Sequence, residues 1–496
     1  MSDGRPWPRH EDLDGDFGGR YSYPGHRRLW WVLVVAIVAC VVVASSYVLL
    51  SQKSTPVIPV AWSLPARCYQ YCQFASDGTS LYVLVDLNSP EGMIADLASY
   101  FTLQAYDWSS GKLLWSVANF TVWGVWASTP VFVFGGTVAV VASGDGEWVP
   151  GQSGPPEWFG PQSSTFVFEW NASTGDFLNQ SHYGTYYGGI AAWSATEAQG
   201  WIAVAAGAYA SPNLSVQSIP MPVHSARYGK WVVNVNPGTL PSNFCGPVLH
   251  VFLAAGTLSI WATGGASLAT VLNGSTGVTL WQGIVAGWSS VESEYSGCLP
   301  MNVVSSASGL YYVGGNGMNA AIDLFDPANQ LTSTVVNLSG TNVSGDGLNL
   351  EPGGEFVVTD TFHDTYSAFS FSGVPLWSRG LNISVVSSTG LGQVFASTVR
   401  PISLGPDSLF LFLEFSEGGM SGNGSIEYNL PLEAVNATTG SLLWQSAYTN
   451  TMCSGSCGGA GSEIYWPVIG AGSYLVVTVY HDGNWSCVVA KLPGVA

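Results

Sequence analysis

Asp360-Thr361-Phe362-His363-Asp364 is the densest group of ionisable residues outside the N-terminal region, and its types suit a general base or a pair of metal ligands. His481-Asp482 offers the same chemistry just past an apolar run. Asp145 with Glu147, and Asp346 with Glu351, stand in Gly-rich stretches whose oxygens suit Ca²⁺, the one cation these pairs favour, although neither has EF-hand spacing. Each of these groups reads more simply as a polar loop capping a strand. Paired carboxylates for glycoside hydrolysis cannot be assigned, because such pairs are defined by separation in space. A nucleophile elbow, a P-loop and a zinc-protease helix are all absent from the sequence. No catalytic residue is therefore assigned.

Cysteines carry the other chemistry. Cys68-Tyr-Gln-Tyr-Cys72 and Cys453-Ser-Gly-Ser-Cys457 are close pairs, while Cys245, Cys298 and Cys487 are isolated. Two close pairs can build a four-thiolate zinc site. In an exported chain disulfides are the better reading, with Cys245–Cys298 and Cys453–Cys457 as candidate bonds and one of the seven thiols left over. Aromatic residues cluster at Trp123 and Trp126, at Tyr183, Tyr186 and Tyr187, and at Trp148 with Trp158. Such clusters stack on sugars or face a protein partner; here they are read first as filling between sheets.

Export is argued from the N-terminal region. Leu29–Leu50 contains no charged residue and, at 1.5 Å per residue, is long enough to cross a bilayer core of about 30 Å. Arg20, Arg27 and Arg28 precede it, so the positive-inside rule puts residues 1–28 in the cytoplasm and the remainder outside. The apolar core is longer than a signal peptide's. Ile37-Val38-Ala39-Cys40 resembles a lipoprotein cleavage box, but ten mostly apolar residues follow it. The reading is a tail over 1–28, a signal anchor over 29–50, a linker over 51–64 and an exterior domain over 65–496.

Asn-x-Ser/Thr sequons agree with export. They begin at Asn119, Asn171, Asn179, Asn213, Asn273, Asn337, Asn342, Asn382, Asn423, Asn436 and Asn484. Chance would give about four from the Ser and Thr content, and none precedes the span. Glycosylation is accordingly expected outside the cell.

The exterior segment repeats itself. Leu103–Trp115 (LQAYDWSSGKLLW), Phe166–Leu178 (FVFEWNASTGDFL), Ala269–Trp281 (ATVLNGSTGVTLW), Ser367–Trp377 (SAFSFSGVPLW) and Leu432–Trp444 (LEAVNATTGSLLW) share an apolar strand, a polar turn and a closing apolar segment. Val232–Leu240 and Ala321–Leu331 are weaker copies. The turn positions Gly111, Gly175, Gly238, Gly277, Asn329, Gly373 and Gly440 are 64, 63, 39, 52, 44 and 67 residues apart, a spacing that suits a four-stranded unit with variable loops. Alternation before each turn marks a half-buried strand. An Asp or Asn accepts turn N–H groups, the Gly supplies positive φ, and the closing Trp buries a large ring. Strands are also expected at Leu81–Val85, Thr137–Val141, Gly309–Val313, Phe356–Thr359, Leu409–Phe415 and Tyr474–Tyr480. No unit buries both faces alone, so several must close radially. The fold class is all-β, a propeller of about seven blades, seven to eight, preceded by one transmembrane helix.

The pattern resembles the PQQ-like repeat of the quinoprotein alcohol dehydrogenase-like propellers, A-x-D-x-x-T-G-x-x-x-W, most closely at Ala434–Trp444, where Asn436 replaces the usual Asp. The resemblance implies a propeller. It also implies, in the dehydrogenases, a disulfide of adjacent cysteines, a Ca²⁺ site and PQQ. This chain has no Cys-Cys pair and its residues do not map onto those calcium ligands, so PQQ is not expected and no cofactor is predicted. The superfamily includes non-enzymatic scaffolds, and fold alone does not decide between them.

Composition narrows the classes further. With 13 Lys+Arg against 32 Asp+Glu and a net charge of −19, phosphate neutralisation is out of reach and nucleic acid is excluded as a partner. Five basic and five acidic residues precede the span, so the whole excess of negative charge belongs to the exterior domain. Few bases and many protonatable acids point to an acid-exposed surface such as that of an acidophilic archaeon. The expected role is a non-catalytic surface scaffold or binding module for protein or glycan partners, the alternatives being an extracytoplasmic enzyme or a structural surface-layer component.

Overall fold

The computed structural model describes the strands and the tighter turns between residues 58 and 495. Residues 1–57 and most longer loops (65–71, 87–97, 221–230, 236–247, 286–303, 417–424 and 454–462 among them) lie outside the described residues. The span expected at 29–50 is therefore not described. Among the described residues no helix is long and apolar enough to cross a membrane.

Val57–Ala496 is one compact, all-β unit. Seven blades are antiparallel meanders taken in chain order. Blade 1 has Cys72–Ser76, Ser80–Asp86, Ala98–Asp107 and Leu113–Ser116, and blade 2 has Val131–Phe134, Thr137–Gly144, Gln162–Asn171 and Phe177–Tyr187. Blade 3 has Ile190–Ala198, Trp201–Ala208, Leu214–Pro220 and Trp231–Val235; blade 4 has Val248–Ala254, Thr257–Thr263, Leu268–Asn273 and Thr279–Ile284. Blade 5 has Val304–Ser306, Gly309–Gly314, Ala321–Asp326 and Leu331–Asn337, and blade 6 has Val343–Leu350, Glu355–Asp360, Thr365–Ser370 and Pro375–Gly380. Blade 7 has Ile402–Gly405, Ser408–Phe412, Ser425–Asn436 and Leu442–Cys453, with Ser384–Ser388 as an added strand.

An eighth sheet closes the ring. Glu463–Ala471, Tyr474–His481 and Asn484–Lys491 come from the end of the chain, and their outer neighbour is Val60–Ser63 from its beginning. That strand falls inside the segment expected to be linker. Its pairing with Asn484–Lys491 is antiparallel, with a bulge between Val60 and Trp62. The count stands at the upper end of the expected seven to eight, because the eighth unit has its parts at opposite ends of the sequence.

The six strands expected from alternation are the second strands of blades 1, 2, 5, 6, 7 and 8. One differs: Ser408–Phe412 ends before the expected Phe415, and Glu414–Ser416 pairs instead with Phe395–Ser397. These second strands are the most apolar, and Leu81, Val83, Val138, Val140, Leu409, Phe410, Leu475 and Val476 are fully buried. Successive residues face opposite neighbours, so blades 1, 2, 5, 6, 7 and 8 each contribute to two apolar clusters. Phe410 and Leu475 meet in one between blades 7 and 8, and Val476 meets Leu81 and Val83 in the next.

Candidate functional site

The repeat's turn is the same object in five blades. Asp107, Asn171, Asn273, Asp326 and Asn436 each end a third strand, and each accepts at its carbonyl oxygen an N–H from four residues on. Their side-chain Oδ1 caps the turn from inside. Asn171 Oδ1 accepts from the N–H groups of Ser173 (2.9 Å) and Thr174 (3.1 Å), and Asn273 Oδ1 from those of Ser275 (2.9 Å) and Thr276 (3.0 Å). Asn436 Oδ1 accepts from Thr438 (3.2 Å) and Thr439 (2.9 Å), and Asp326 Oδ1 from Ala328 (2.8 Å) and Asn329 (3.2 Å). Asp107 is held hardest. The hydroxyls of Ser110 and Ser109 and the Ser110 N–H keep its carboxyl at about 2, well under the usual carboxylate value.

Gly111, Gly175, Gly277, Gly373 and Gly440 have positive φ, as the turn chemistry demands. Blade 5 keeps the same position, four residues after Asp326, but fills it with Gln330 where the other four capped turns have Gly. Its positive φ (60°) falls on Gln330 and not on Asn329, because Asn329 stands third in the turn, where its N–H is the one that Asp326 binds.

The closing Trp docks on the next blade's turn. A Cβ on Gly111 would lie 2.5 Å from the Trp62 ring, one on Gly175 2.7 Å from Trp115, and one on Gly440 2.7 Å from Trp377. Each indole N–H donates to the carbonyl just after the capping residue: Trp62 to Trp108 (3.0 Å), Trp115 to Ala172 (2.9 Å) and Trp377 to Ala437 (2.6 Å). Glycine is required there twice over, for φ and for ring contact. In blade 6 the Gly373 turn instead meets the Val335 backbone, since blade 5 carries no Trp at that position.

Blade 2 breaks the pattern. Across the third and fourth strands Ala105 faces Trp115, Val271 faces Trp281, Ala368 faces Trp377 and Ala434 faces Trp444. The corresponding pair in blade 2 is Glu169 and Asn179. Glu169 is 1% exposed, the Asn179 amide donates to its carboxylate, and its Oε2 has no hydrogen-bond partner among the described residues. Burial pushes the carboxyl up to about 7, so it holds a proton well above the ordinary carboxylate range. A protonated Glu can donate as well as accept. Blade 5 makes a similar exchange, with the buried Asp323 facing Thr334 at the Trp position and accepting its hydroxyl at 2.7 Å. The sequence signal was present, since the second copy lacks its closing Trp, but the partnership with Glu169 needed the register.

A second acidic residue is matched across a seam. Glu433 of blade 7 pairs with both Arg379 Nε and Arg379 Nη2 of blade 6, the latter at 3.1 Å. That hydrogen-bonded pairing raises the guanidinium's pKa further. Nearby Tyr366 is fully buried and its hydroxyl donates to the Phe412 carbonyl at 2.7 Å; burial first, and the charge of Glu433 second, push the phenol well above its ordinary value.

The outer rim completes the surface. Of the twelve large apolar side chains exposed among the described residues, eleven lie at or beside the start of a fourth strand: Val60, Leu113, Leu114, Phe177, Leu178, Val278, Leu280, Leu331, Val374, Leu376 and Leu442. Seven blades contribute; in six the residues follow the turn after the third strand, and Val60 opens the outer strand of the eighth.

The other expected residues fall as follows. Among the described residues there is no disulfide. Cys487 is buried in the cluster between blades 8 and 1, and Cys72 packs against that cluster. Cys68, Cys245, Cys298 and Cys457 lie outside the described residues, and Cys453 is described by backbone alone, as the last residue of its strand. Asn119, Asn213, Asn342, Asn382 and Asn423 also lie outside, Asn484 begins a third strand, and Asn337 is exposed at the end of a fourth. Asp360 and His481 end second strands, while His363, Asp364, Asp482, Asp145 and Glu351 lie outside the described residues. Glu147 and Asp346 are on strands. No group of three or more potential metal ligands forms among the described residues. The aromatic runs are partly united: Gly146–Trp148 and Glu157–Trp158 extend the blade 1 sheet through Phe120–Trp123, placing Trp123 and Trp158 opposite the same Gly146.

These features define an all-β propeller whose blades carry a capped turn and a docking Trp. No family model and no curated protein matches the chain. Solved structures that it is similar to include BamB from Moraxella catarrhalis, at 13% identity and a TM-score of 0.40, covering 87% of this chain and 99% of that one. They also include a quinohemoprotein alcohol dehydrogenase from Pseudomonas putida, at 9% and 0.36 (89% and 77% covered), and the dihydro-heme d1 dehydrogenase NirN, at 11% and 0.39 (79% and 77%). Similarity at this level says nothing about chemistry, and none is carried over.

Proposed function

We propose that this chain is a membrane-anchored, surface-displayed propeller acting as a non-catalytic binding module, with a protein or glycan partner seated on its outer rim. The observation that supports it is the concentration of exposed apolar side chains at one end of the fourth strands. Their recurrence at one strand position in blade after blade supports an interaction surface, since exposed apolar patches mark such sites. The charge-free stretch at Leu29–Leu50 and the arginines before it support the anchor and its orientation.

The test is affinity capture with the full chain and with a rim variant combining Leu113→Ser, Leu114→Ser and Leu376→Ser. The variant is expected to lose the captured partner while melting at the parent temperature. Equal capture by both proteins would refute the rim as the binding surface. A large thermal shift with PQQ, and no partner recovered, would favour a quinoprotein-like enzyme instead.

A further inference from the structure

Three of the capping residues, Asn171, Asn273 and Asn436, open sequons, and the turn uses only half of each side chain. Two backbone N–H groups fix the orientation of each amide, because only an oxygen can accept from both. No hydrogen bond is made by Nδ2 of any of the three among the described residues. Asp107 and Asp326 perform the same capping with no amide nitrogen at all. The fold therefore requires an oxygen at this position and has no use for the NH₂. The residue at +2 (Ser173, Ser275, Thr438) is exposed in each case. The conserved turn hydroxyl is the one at +3: Thr174 bonds Asp176, while Thr276 and Thr439 accept N–H groups two residues on.

Asn179 is the counter-example within the same molecule. It too opens a sequon, but its amide is engaged by the buried Glu169 carboxyl, and it occupies the seam position that Trp fills in other blades.

From this contrast we infer that Asn171, Asn273 and Asn436 are built as N-glycan acceptors and that Asn179 is not. Transfer joins Nδ2 to C1 of the first sugar of a lipid-linked oligosaccharyl pyrophosphate. The C1–O bond to the pyrophosphate breaks, the lipid pyrophosphate leaves with the electron pair, and one amide proton passes to the transferase's base. Oδ1 keeps its two backbone hydrogen bonds, and at Asn436 the third from the Thr439 hydroxyl. The glycans stand beside Phe177 and Leu178, Val278 and Leu280, and Leu442, so they cover the rim of blades 2, 4 and 7. Val60, Leu113, Leu114, Leu331, Val374 and Leu376 stay bare, which narrows the partner surface to blades 1, 5, 6 and 8. This inference rests on the exported reading above.

The experiment expresses the full chain, fused at its C-terminus to a reporter Asn-Gly-Thr sequon, in a eukaryotic secretory host, and reads occupancy site by site by peptide mass. Modification of the reporter, Asn171, Asn273 and Asn436 with Asn179 bare is the expected result. The triple variant Asn171→Asp, Asn273→Asp, Asn436→Asp should lose three glycan masses and match the enzymatically deglycosylated parent in melting temperature. A modified reporter with the three turn sites bare overturns the inference and leaves export standing. A bare reporter overturns the exported reading and the inference with it. Asn179 modified as fully as the three, or a triple variant that fails to fold, overturns the division of labour within the amide.

Discussion

Replacing Glu169 with Gln isolates the titration of the buried carboxyl that faces the Trp position of blade 2. In the folded chain its value is about 7, against 4.5 for an ordinary Glu. The unfolded chain thus loses this proton first. Stability is fully present below pH 4.5, falls as pH rises, and is lost once pH passes the folded value near 7. One unit is worth about 1.4 kcal/mol, so the whole window amounts to about 3 kcal/mol. At about 2 cal/mol/K of unfolding entropy per residue, this corresponds to ~3 °C in melting temperature for a domain of this size. The Gln side chain keeps the shape and can still meet Asn179, but it carries no proton to lose. Melting temperature measured from pH 3.5 to 8 should therefore show parent and E169Q coinciding near pH 4 and separating above pH 5, with the variant the more stable by that amount at pH 8. Parallel curves, or a variant destabilised at pH 8, would show that the carboxylate is ionised and partnered in the folded state. At the acid end Asp107 acts oppositely: its lowered value contributes stability above about pH 4 that is lost as pH falls towards 2. Between these two groups the parent is expected to be most stable near pH 4.

Gly440→Ala puts a methyl group into the Trp377 ring at a positive-φ site, and its cost is expected at about 2–4 kcal/mol, read from denaturant midpoints. Trp62→Ala removes the ring that fastens the first strand to blade 1, with a loss of ~3–5 kcal/mol; limited proteolysis should then cut first near Val60–Ser63. Arg379→Met leaves Glu433 buried without its partner and should cost about 3–5 kcal/mol, whereas pairing it with Glu433→Met should recover most of the loss in a double-mutant cycle.

Much of the blade was legible in the residues because its decisive interactions are local. An Asp or Asn, two or three hydroxyl residues and a Gly within five positions determine a turn by their own hydrogen bonds, and alternation on either side determines the strands. The same local reading misplaced the positive φ of blade 5 by one residue, where Asn329 is the better left-handed former but Gln330 holds the slot. It also made a linker of Val60–Ser63, whose partner strand lies more than 420 residues away.

The candidate site was less legible. Glu169 reads as one polar residue in an apolar strand, and Asn179 as one more sequon. Only antiparallel register brings them opposite each other, and only the alignment of that register with Ala105–Trp115 and Ala434–Trp444 shows what they replace. The place of Cys487 in the seam between blades 8 and 1 was likewise not legible, since its cluster draws on both ends of the chain.

By itself, then, the sequence determined the class of fold, the turn chemistry, the docking Trp and the segregation of negative charge beyond a charge-free stretch. Each follows from residue type and short-range spacing. Tertiary structure alone decided how the ring closes, which Gly each indole covers, which seam holds a buried acid, and which half of each capping Asn is left unused. Those depend on pairings between residues far apart in the chain, whose free energy appears only when neighbouring blades exclude water from the seam between them.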